Sequence, residues 1–391
     1  MYKIIMVFLG LSFFAFGMSY KQFKKHTLKH AKILQSQTLN VAQVNIENTI
    51  ALRTPNPSMD VEIGRYDEEF RDIQYGYSVF ASQRVRTDSY LDALKGQSHA
   101  KVLLAKAYAL DGKAKYIKKM EETYTQYVYQ AKLLSLLKEE YVLSSKMSKV
   151  AKERYHNGAE TRVSYLQAKT QTLALKTELH TTTQEMNSLY YTLLAIGGFS
   201  KKVILNKKFI YTISSTTSRS NKSNTQQRIL LAKEKLYASQ LQMGQNSFDA
   251  YDIIAGVEKE PEQSVLRVGI SIPLPLRHNK EEERALSHLK MQQLKLDRGA
   301  LSLSLKSQKR MIKSNLHELT LQHKALKVLK KEQQSLANLL TEGYEIAQGS
   351  LFELMNAKNG LIQTKKSLLN TQKMINIQKI AYHNLQGHYN D

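Results

Sequence analysis

Cysteine and tryptophan are absent from the 391 residues, and proline occurs only five times. Without cysteine the chain has no disulfide, no thiol nucleophile and no Cys-ligated metal site, and no cysteine is available to carry a lipid anchor. The prolines are Pro55, Pro57, Pro261, Pro273 and Pro275. Because proline breaks helix interiors, the proline-free tracts 58–260 and 276–391 permit very long helices.

Long hydrophobic runs are also lacking, except at the N-terminus. Lys3 followed by the apolar run Ile4–Phe16 and the small residues Gly17 and Ser19 predicts a secretory signal peptide over residues 1–19. The run is shorter than the roughly 20 residues of a spanning helix, although an uncleaved anchor is an alternative. No later stretch is apolar enough for a spanning helix, so any membrane insertion would depend on strands.

Acidic residues are much fewer than basic ones, and the formal net charge at pH 7 is +23. Nucleic acid is the usual partner of such a basic chain. Predicted export argues against it, and the lysines and arginines are spread along helical patterns instead of forming one patch. We therefore expect no nucleic-acid partner and interpret the charge as solvated helix surface.

The proline-free tracts are rich in Ala, Leu, Lys, Gln and Glu, which favour helix. Residues 87–153 predict one long helix. Near the C-terminus, large residues recur every seven positions, with smaller or polar ones three residues after each. They are Leu354, Leu361, Leu368, Ile375 and Tyr382. This heptad fits an ordinary coiled coil or a wide assembly in which each helix packs shallowly on two neighbours.

The segments near the prolines alternate with period two, and they predict strands over about 57–66, 73–84, 249–259 and 264–275. Met59, Val61 and Ile63 face opposite to Asp60 and Glu62, for example. One apolar and one polar face is typical of membrane strands around a wet lumen. Four strands cannot close a barrel, and open edges in lipid leave backbone groups unpaired, so copies of the chain would share one barrel. A soluble sheet packed on a helix is the alternative.

Matching landmarks at offsets of 189 to 193 residues predict an internal duplication. Gly64 corresponds to Gly256, for example, and Gly76 to Gly269. The predicted organisation is a first repeat over 20–199, a connection over 200–228 rich in Ser, Thr, Asn and Lys, and a second repeat over 229–391. Each repeat is expected to contain a helix, two strands, a long helix, a turn near residue 158 or 349, and a further helix.

Two motifs resemble signatures of the TolC-like outer-membrane efflux family. The first is Tyr155, Gly158 and Thr161 followed by Leu166-Gln167-Ala168, and the second runs from Gly343-Tyr344 to Gly349-Ser350 and Leu354-Met355-Asn356-Ala357. The resemblance covers nearly all of the mature chain. It implies a mainly α-helical fold with a small β part: long antiparallel helical hairpins that form a trimeric α-barrel, and four transmembrane strands per protomer in a shared 12-stranded β-barrel.

The resemblance also implies roles for particular residues. The two turns would be tips that dock an adaptor protein, and they contain Tyr155, Gly158, Thr161, Tyr344, Gly349 and Ser350. Glu353 and Asn356, just after the second turn, would form the pore constriction. Three copies of Glu353 near one axis would attract cations and hinder anions. Without the resemblance, Glu353 would be interpreted as a solvated helix charge.

No catalytic motif is present, so we expect neither an enzyme nor a bound cofactor or metal. His26 and His30 are spaced i, i+4, as two metal ligands can be, but lysines surround them and we interpret them as surface histidines.

The resemblance implies a passive duct in the outer membrane that extends into the periplasm. Its partners would be its own copies in a homotrimer, outer-membrane lipid, a periplasmic adaptor and an inner-membrane pump, for which the resistance-nodulation-division (RND) type is the candidate. A periplasmic adaptor or coiled-coil scaffold is the alternative function.

Overall fold

The computed structural model describes residues 17–67, 72–214, 223–246, 248–277, 279–346 and 349–389. Most of the predicted signal peptide lies outside these residues. The described residues form seven α-helices and one four-stranded antiparallel sheet, which confirms the predicted mainly α-helical class with a small β part. The helices are α1 (Tyr20–His30), α2 (Lys32–Leu52), α3 (Asp88–His156), α4 (Arg162–Gly197), α5 (Thr225–Gly244), α6 (Glu281–Glu345) and α7 (Leu351–Leu385). The strands are β1 (Ser58–Tyr66), β2 (Gln74–Arg86), β3 (Ala250–Lys259) and β4 (Ser264–Ser271).

The chain divides into two compact units, and both draw on the two predicted repeats. The helical unit comprises the described parts of Met1–Gln35, Gly112–Asn224 and Ser304–Asp391. The sheet unit comprises Ser36–Asp111 and Thr225–Leu303, and it contains all four strands. Each unit therefore requires residues that are far apart along the chain.

The sheet has the order β1-β2-β3-β4, with antiparallel pairing throughout. Two hairpins, β1–β2 and β3–β4, are joined where β2 pairs with β3. Val79 on β2 is opposite Val61 on β1 and Val257 on β3, so apolar side chains share one face across three strands. Within the described chain, β1 and β4 are edge strands.

Several element bounds differ from the predicted ones. β4 ends at Ser271 and not at residue 275, because Pro273 and Pro275 have no N–H to donate to a ladder. β2 continues to Arg86, two residues further than predicted, since it pairs with β3 as far as Ala250. The first predicted helix is two helices, which are separated at Ala31, where the backbone is extended.

The apolar face of the sheet is exposed along its length. Ile63, Leu266 and Val268 have 78%, 76% and 76% of their surface accessible. On the polar face, Arg267 pairs with Glu258 across β3 and β4 at 2.5 Å. Phe80 covers Gly256 so closely that a Cβ there would lie 2.3 Å from the ring. Every residue of β1 is exposed on either face, so within the single chain the apolar face has no cover, unlike the packed face of an ordinary soluble sheet.

The helical unit has an aromatic core. Phe23, Met120, Tyr124, Val128 and Leu193 are fully buried in it. A carboxylate is buried beside this core: Glu121 on α3 is only 1% exposed. A buried charge is tolerated only where it is paired and hydrogen-bonded, so its partners are informative.

Four side chains from three separate segments bind Glu121. Its Oε1 accepts hydrogen bonds from the Tyr20 hydroxyl and from Lys24 Nζ at 3.1 Å, and its Oε2 accepts from the hydroxyls of Tyr211 at 3.2 Å and Tyr389 at 2.5 Å. Burial and the Glu121 charge raise the pKa of each tyrosine, so all three stay protonated and donate. Glu121 therefore ties α1, the inter-repeat connection and the C-terminal turn to α3.

The connection between the repeats is packed over its described part, residues 198–214 and 223–224. Met18 pairs with Leu205 in a parallel bridge, and the Tyr190 hydroxyl bonds to the backbone of Val203. Asn376 on α7 holds both backbone polar groups of Tyr211, at 2.8 and 3.1 Å. The connection, which was predicted only as a polar linker, is fixed by tertiary contacts.

Candidate docking tips and constriction residues

The first tip is a Schellman turn between α3 and α4. Gly158 has φ 73°, a left-handed conformation that glycine adopts without strain. Its N–H donates to the Tyr155 carbonyl at 3.1 Å, and the Ala159 N–H donates to the Arg154 carbonyl at 2.8 Å. The last carbonyls of α3 are thereby satisfied by the turn itself.

The start of α4 is capped by its own residues. The Thr161 hydroxyl accepts a hydrogen bond from the Ser164 N–H at 3.1 Å, as an N-cap residue does. Tyr155 stacks on Tyr165 with ring centroids 6.0 Å apart and planes 7° apart. Cap and stack together fix the angle between the two helices at this tip.

The second tip, between α6 and α7, is built differently. Ser350 is the N-cap residue of α7, but its side chain makes no capping hydrogen bond. Gly349 lies against the end of α6, where an added Cβ would be 2.9 Å from the Tyr344 nitrogen. Close backbone approach therefore requires glycine here, whereas a positive φ requires it at the first tip.

Arg154 and Tyr344 bring the two tips together. Arg154 Nη2 donates to the Tyr344 carbonyl at 2.8 Å, and its guanidinium lies 4.0 Å from the centroid of the Tyr344 ring. The ring packs in a buried cluster with residues from α3, α4 and α7: Ala151, Ala168, Leu351, Leu354 and Met355. Tyr344 is the one predicted tip residue in this cluster, and Arg154, next to the predicted Tyr155, joins it to the first tip.

Tyr344 is buried, and its hydroxyl has no hydrogen-bond partner among the described residues. Burial raises the pKa of the phenol, although the charge of Arg154 acts in the opposite direction. The phenol is therefore neutral at physiological pH.

Glu353 and Asn356 lie on one exposed face of α7, three residues apart. Leu354 and Met355, between them, are buried in the tip cluster, which fixes the direction of the polar face. Glu353 is in the first turn of α7, where a negative charge also stabilises the helix N-terminus. The exposure fits a lumen position in an assembly, and it fits a solvated helix charge equally well.

Ion pairs and a hydrogen bond join α7 to α3 and α4, the two helices that meet at the first tip. Lys365 pairs with the buried Glu140 on α3 at 2.7 Å, and Lys366 pairs with Glu178 on α4 at 2.6 Å. Asn359 accepts a hydrogen bond from Gln171 on α4. Neither these pairs nor Arg154 was predicted from the sequence, because each joins residues about 190 or more positions apart.

Among the described residues, no group of three His, Cys, Asp or Glu side chains could hold a metal ion. His26 and His30 have ring centroids 4.4 Å apart, but His26 also stacks on Phe199 at 4.0 Å. His26 is half-buried and its ring packs on Phe199 at the edge of the aromatic core, whereas His30 is exposed.

None of the described helices combines the length and the apolar character that crossing a membrane requires.

Over more than nine tenths of its length the chain has the fold of solved outer-membrane proteins. It matches VceC from Vibrio cholerae with a TM-score of 0.79 and 13% identity, over 94% of this chain and 95% of that one. It matches the Campylobacter jejuni outer-membrane channel CmeC with a TM-score of 0.74 and 13% identity, over 93% of this chain and 85% of that one. It matches the open state of the Neisseria gonorrhoeae channel MtrE with a TM-score of 0.70 and 13% identity, over 94% of this chain and 88% of that one. No protein-family model and no curated protein sequence matches the chain.

These matches define the class of fold, which is that of TolC-like outer-membrane channels. The resemblance that the tip motifs predicted is thereby confirmed at the level of the fold. At 13% identity, the likeness extends to the backbone architecture alone.

Proposed function

We propose that the chain is one protomer of a passive trimeric duct in the outer membrane, which exports substrates from a periplasmic adaptor and an inner-membrane pump. The exposed apolar face of the sheet supports this most directly. Exposing apolar surface to water costs a free energy of roughly 25 cal/mol per Å². Contact of this face with lipid would remove that cost. CmeC and MtrE, two solved proteins with the same fold, are outer-membrane channels.

The sheet edges support assembly from copies of the chain. β1 and β4 each have one unpaired side within the described chain, and an unpaired edge is not tolerated in lipid. Pairing β4 of one copy with β1 of the next removes both edges. Three copies would form a barrel of twelve strands, within the range of such barrels.

The tips are proposed as the adaptor-docking end. Their residues Tyr155, Gly158, Thr161, Tyr344, Gly349 and Ser350 lie on two adjoining turns at one end of the helical unit. A pump of the RND type is the proposed source of cargo, and metal ions and drugs are both candidate cargoes. Growth of a deletion strain on metals, dyes and antibiotics would identify the cargo, and full resistance to all of them would contradict the pump assignment.

Glu353 is proposed to line the constriction together with Asn356. We expect Glu353→Ala to lower the cation preference of the trimer in planar bilayers, because it removes three charges from the axis. Asn356→Asp, which adds three charges, should raise that preference.

Glu318→Ala is the matched control, since Glu318 is an exposed glutamate on α6. Equal reversal potentials for wild type and Glu353→Ala would reject the constriction role. A purified protein that stays monomeric and soluble without detergent would reject the duct itself.

A further inference from the structure

The sequence predicted no basic patch, but seven exposed lysines lie on two adjoining segments of the helical unit, and the proposed conduction path makes no use of them. Three are on α1, namely Lys21, Lys25 and Lys29. Four are on the strap, which we define as residues 198–208 of the inter-repeat connection: Lys201, Lys202, Lys207 and Lys208. We call these seven side chains the lysine surface.

Backbone and aromatic contacts hold the strap along α1. Gly198 lies against the backbone of His30 at the end of α1, and Asn206 donates to the Met18 carbonyl at 3.0 Å before the helix begins. Between these points Phe199 stacks on Phe23, with centroids 5.8 Å apart. The strap thus runs back along the whole length of α1 and brings its lysines beside those of the helix.

Tyrosines of α3 and α4 also hold the backbone of the strap. The Tyr190 hydroxyl bonds to Val203, and the Tyr124 hydroxyl donates to the Asn206 carbonyl at 2.6 Å. These anchors lie between the lysine pairs at 201–202 and 207–208. The backbone that carries the four strap lysines is therefore pre-ordered, which lowers the entropy cost of binding.

The positive charge of this surface is not balanced. Neither α1 nor the strap contains Asp or Glu. Within the described part of the chain, none of the seven lysines forms a salt bridge. Lys24 is the contrast on the same helix, because it points inward and pairs with Glu121.

The arrangement on α1 also opposes helix formation. Lys21, Lys25 and Lys29 are spaced i, i+4 and i+8, so like charges are neighbours on the exposed face. An 11-residue helix gains little from propensity alone. An external anion would relieve this repulsion.

We propose that the lysine surface binds a polymer that carries closely spaced carboxylates, which is the chemistry of the bacterial cell wall. This step depends on the proposed function, which would place the helical unit in the periplasm beside that polymer. Lysine is depleted at protein–protein interfaces, where aromatic residues and arginine are enriched. A surface of seven lysines without arginine therefore favours many weak, salt-sensitive contacts with a polyanion over a packed protein partner.

The test is co-sedimentation of the purified mature chain with purified peptidoglycan sacculi at low salt. The patch variant carries Lys201→Gln, Lys202→Gln, Lys207→Gln and Lys208→Gln. The control variant carries the same change at four exposed α6 lysines of the same unit: Lys306, Lys324, Lys327 and Lys331. Both variants lose four charges, so only the location differs.

We expect wild type and control to sediment alike and the bound fraction of the patch variant to fall about fivefold, since multivalent contacts are lost together. Raised salt and amidation of the sacculus carboxylates should each abolish binding. Equal loss in both variants, or unchanged binding of the patch variant, would overturn the proposal. Patch-dependent binding to phosphatidylglycerol vesicles without binding to sacculi would also overturn it, in favour of a lipid surface.

Planar-bilayer conductance of the same preparations separates this proposal from the duct function. A protein that conducts but does not bind sacculi contradicts only the lysine surface. A protein that binds sacculi through the surface but never conducts contradicts only the duct.

Discussion

The helical unit and the sheet unit complete their apolar packing to different degrees. In the helical unit, Phe23, Tyr124 and Leu193 are fully buried, and even the Glu121 carboxylate has its partners within the same chain. In the sheet unit, the side chains of Ile63, Leu266 and Val268 are largely exposed. The core around Glu121 is thus finished within the chain, whereas the apolar face of the sheet has no cover there, so the two regions should respond differently to mutation.

The largest expected effect tests the sheet face. Val268→Arg places a charge on the apolar face, where each copy in lipid costs about 2–4 kcal/mol. We expect the proposed trimer to be lost from outer-membrane fractions, as measured by its heat-sensitive band on gels, while far-UV circular dichroism of the helices is retained.

Ser271→Arg is the control, on the polar face of the same strand. Normal membrane assembly of Val268→Arg would show that the exposed face does not contact lipid.

The second prediction tests the finished core. Glu121→Ala leaves three tyrosine hydroxyls and Lys24 without their acceptor, which should cost about 3 kcal/mol of unfolding free energy. The Tm of the helical unit should fall by several degrees. Glu122→Ala, which removes only a pairing at 3.8 Å with Lys118, should be close to neutral; similar shifts for the two variants would contradict the anchoring role of Glu121.

The same core should be sensitive to acid through His383. Burial, followed by His388, Lys379 and Lys24, lowers the pKa of His383 to about 4, although Glu121 opposes the shift. Below the ordinary pKa of about 6.5, the unfolded chain takes up a proton that the folded chain does not. Stability should therefore fall as the pH drops from about 6.5 towards 4.

The variant His383→Phe keeps an aromatic ring against Tyr211 and should flatten this part of the Tm–pH curve. His317→Gln, at an exposed position on α6, should leave the curve unchanged. An identical pH dependence in wild type and His383→Phe would exclude His383 as the responsible group.

The smallest effects concern glycines near the tips. Gly158→Ala forces a side chain into a left-handed conformation and should destabilise the first turn by about 1 kcal/mol. Gly343→Ala places a Cβ in open space on helix α6 and should stabilise by about 0.5 kcal/mol. Hydrogen exchange at each turn would measure both changes, and the same sign for both would contradict the assigned backbone roles.

The two tips also show how far sequence reasoning reached. The glycine and the Thr161 cap of the first turn act within a few residues, so the motif contained what was needed to predict it. The second turn depends on Tyr344 packing against Arg154, 190 residues away. No spacing in the sequence indicates that contact, and the role of Gly349 is visible only from the backbone that it touches.

By itself the sequence determined the helical and two-faced strand periodicities, the motifs of the tips and the resemblance to outer-membrane channels. These signals are local, because propensity and alternation act over neighbouring residues. Only the tertiary structure decided that Glu121 joins α1, the connection and the C-terminal turn, and that the strap places its lysines beside α1. Those arrangements depend on packing between residues that the chain order leaves far apart, and folding alone brings them together.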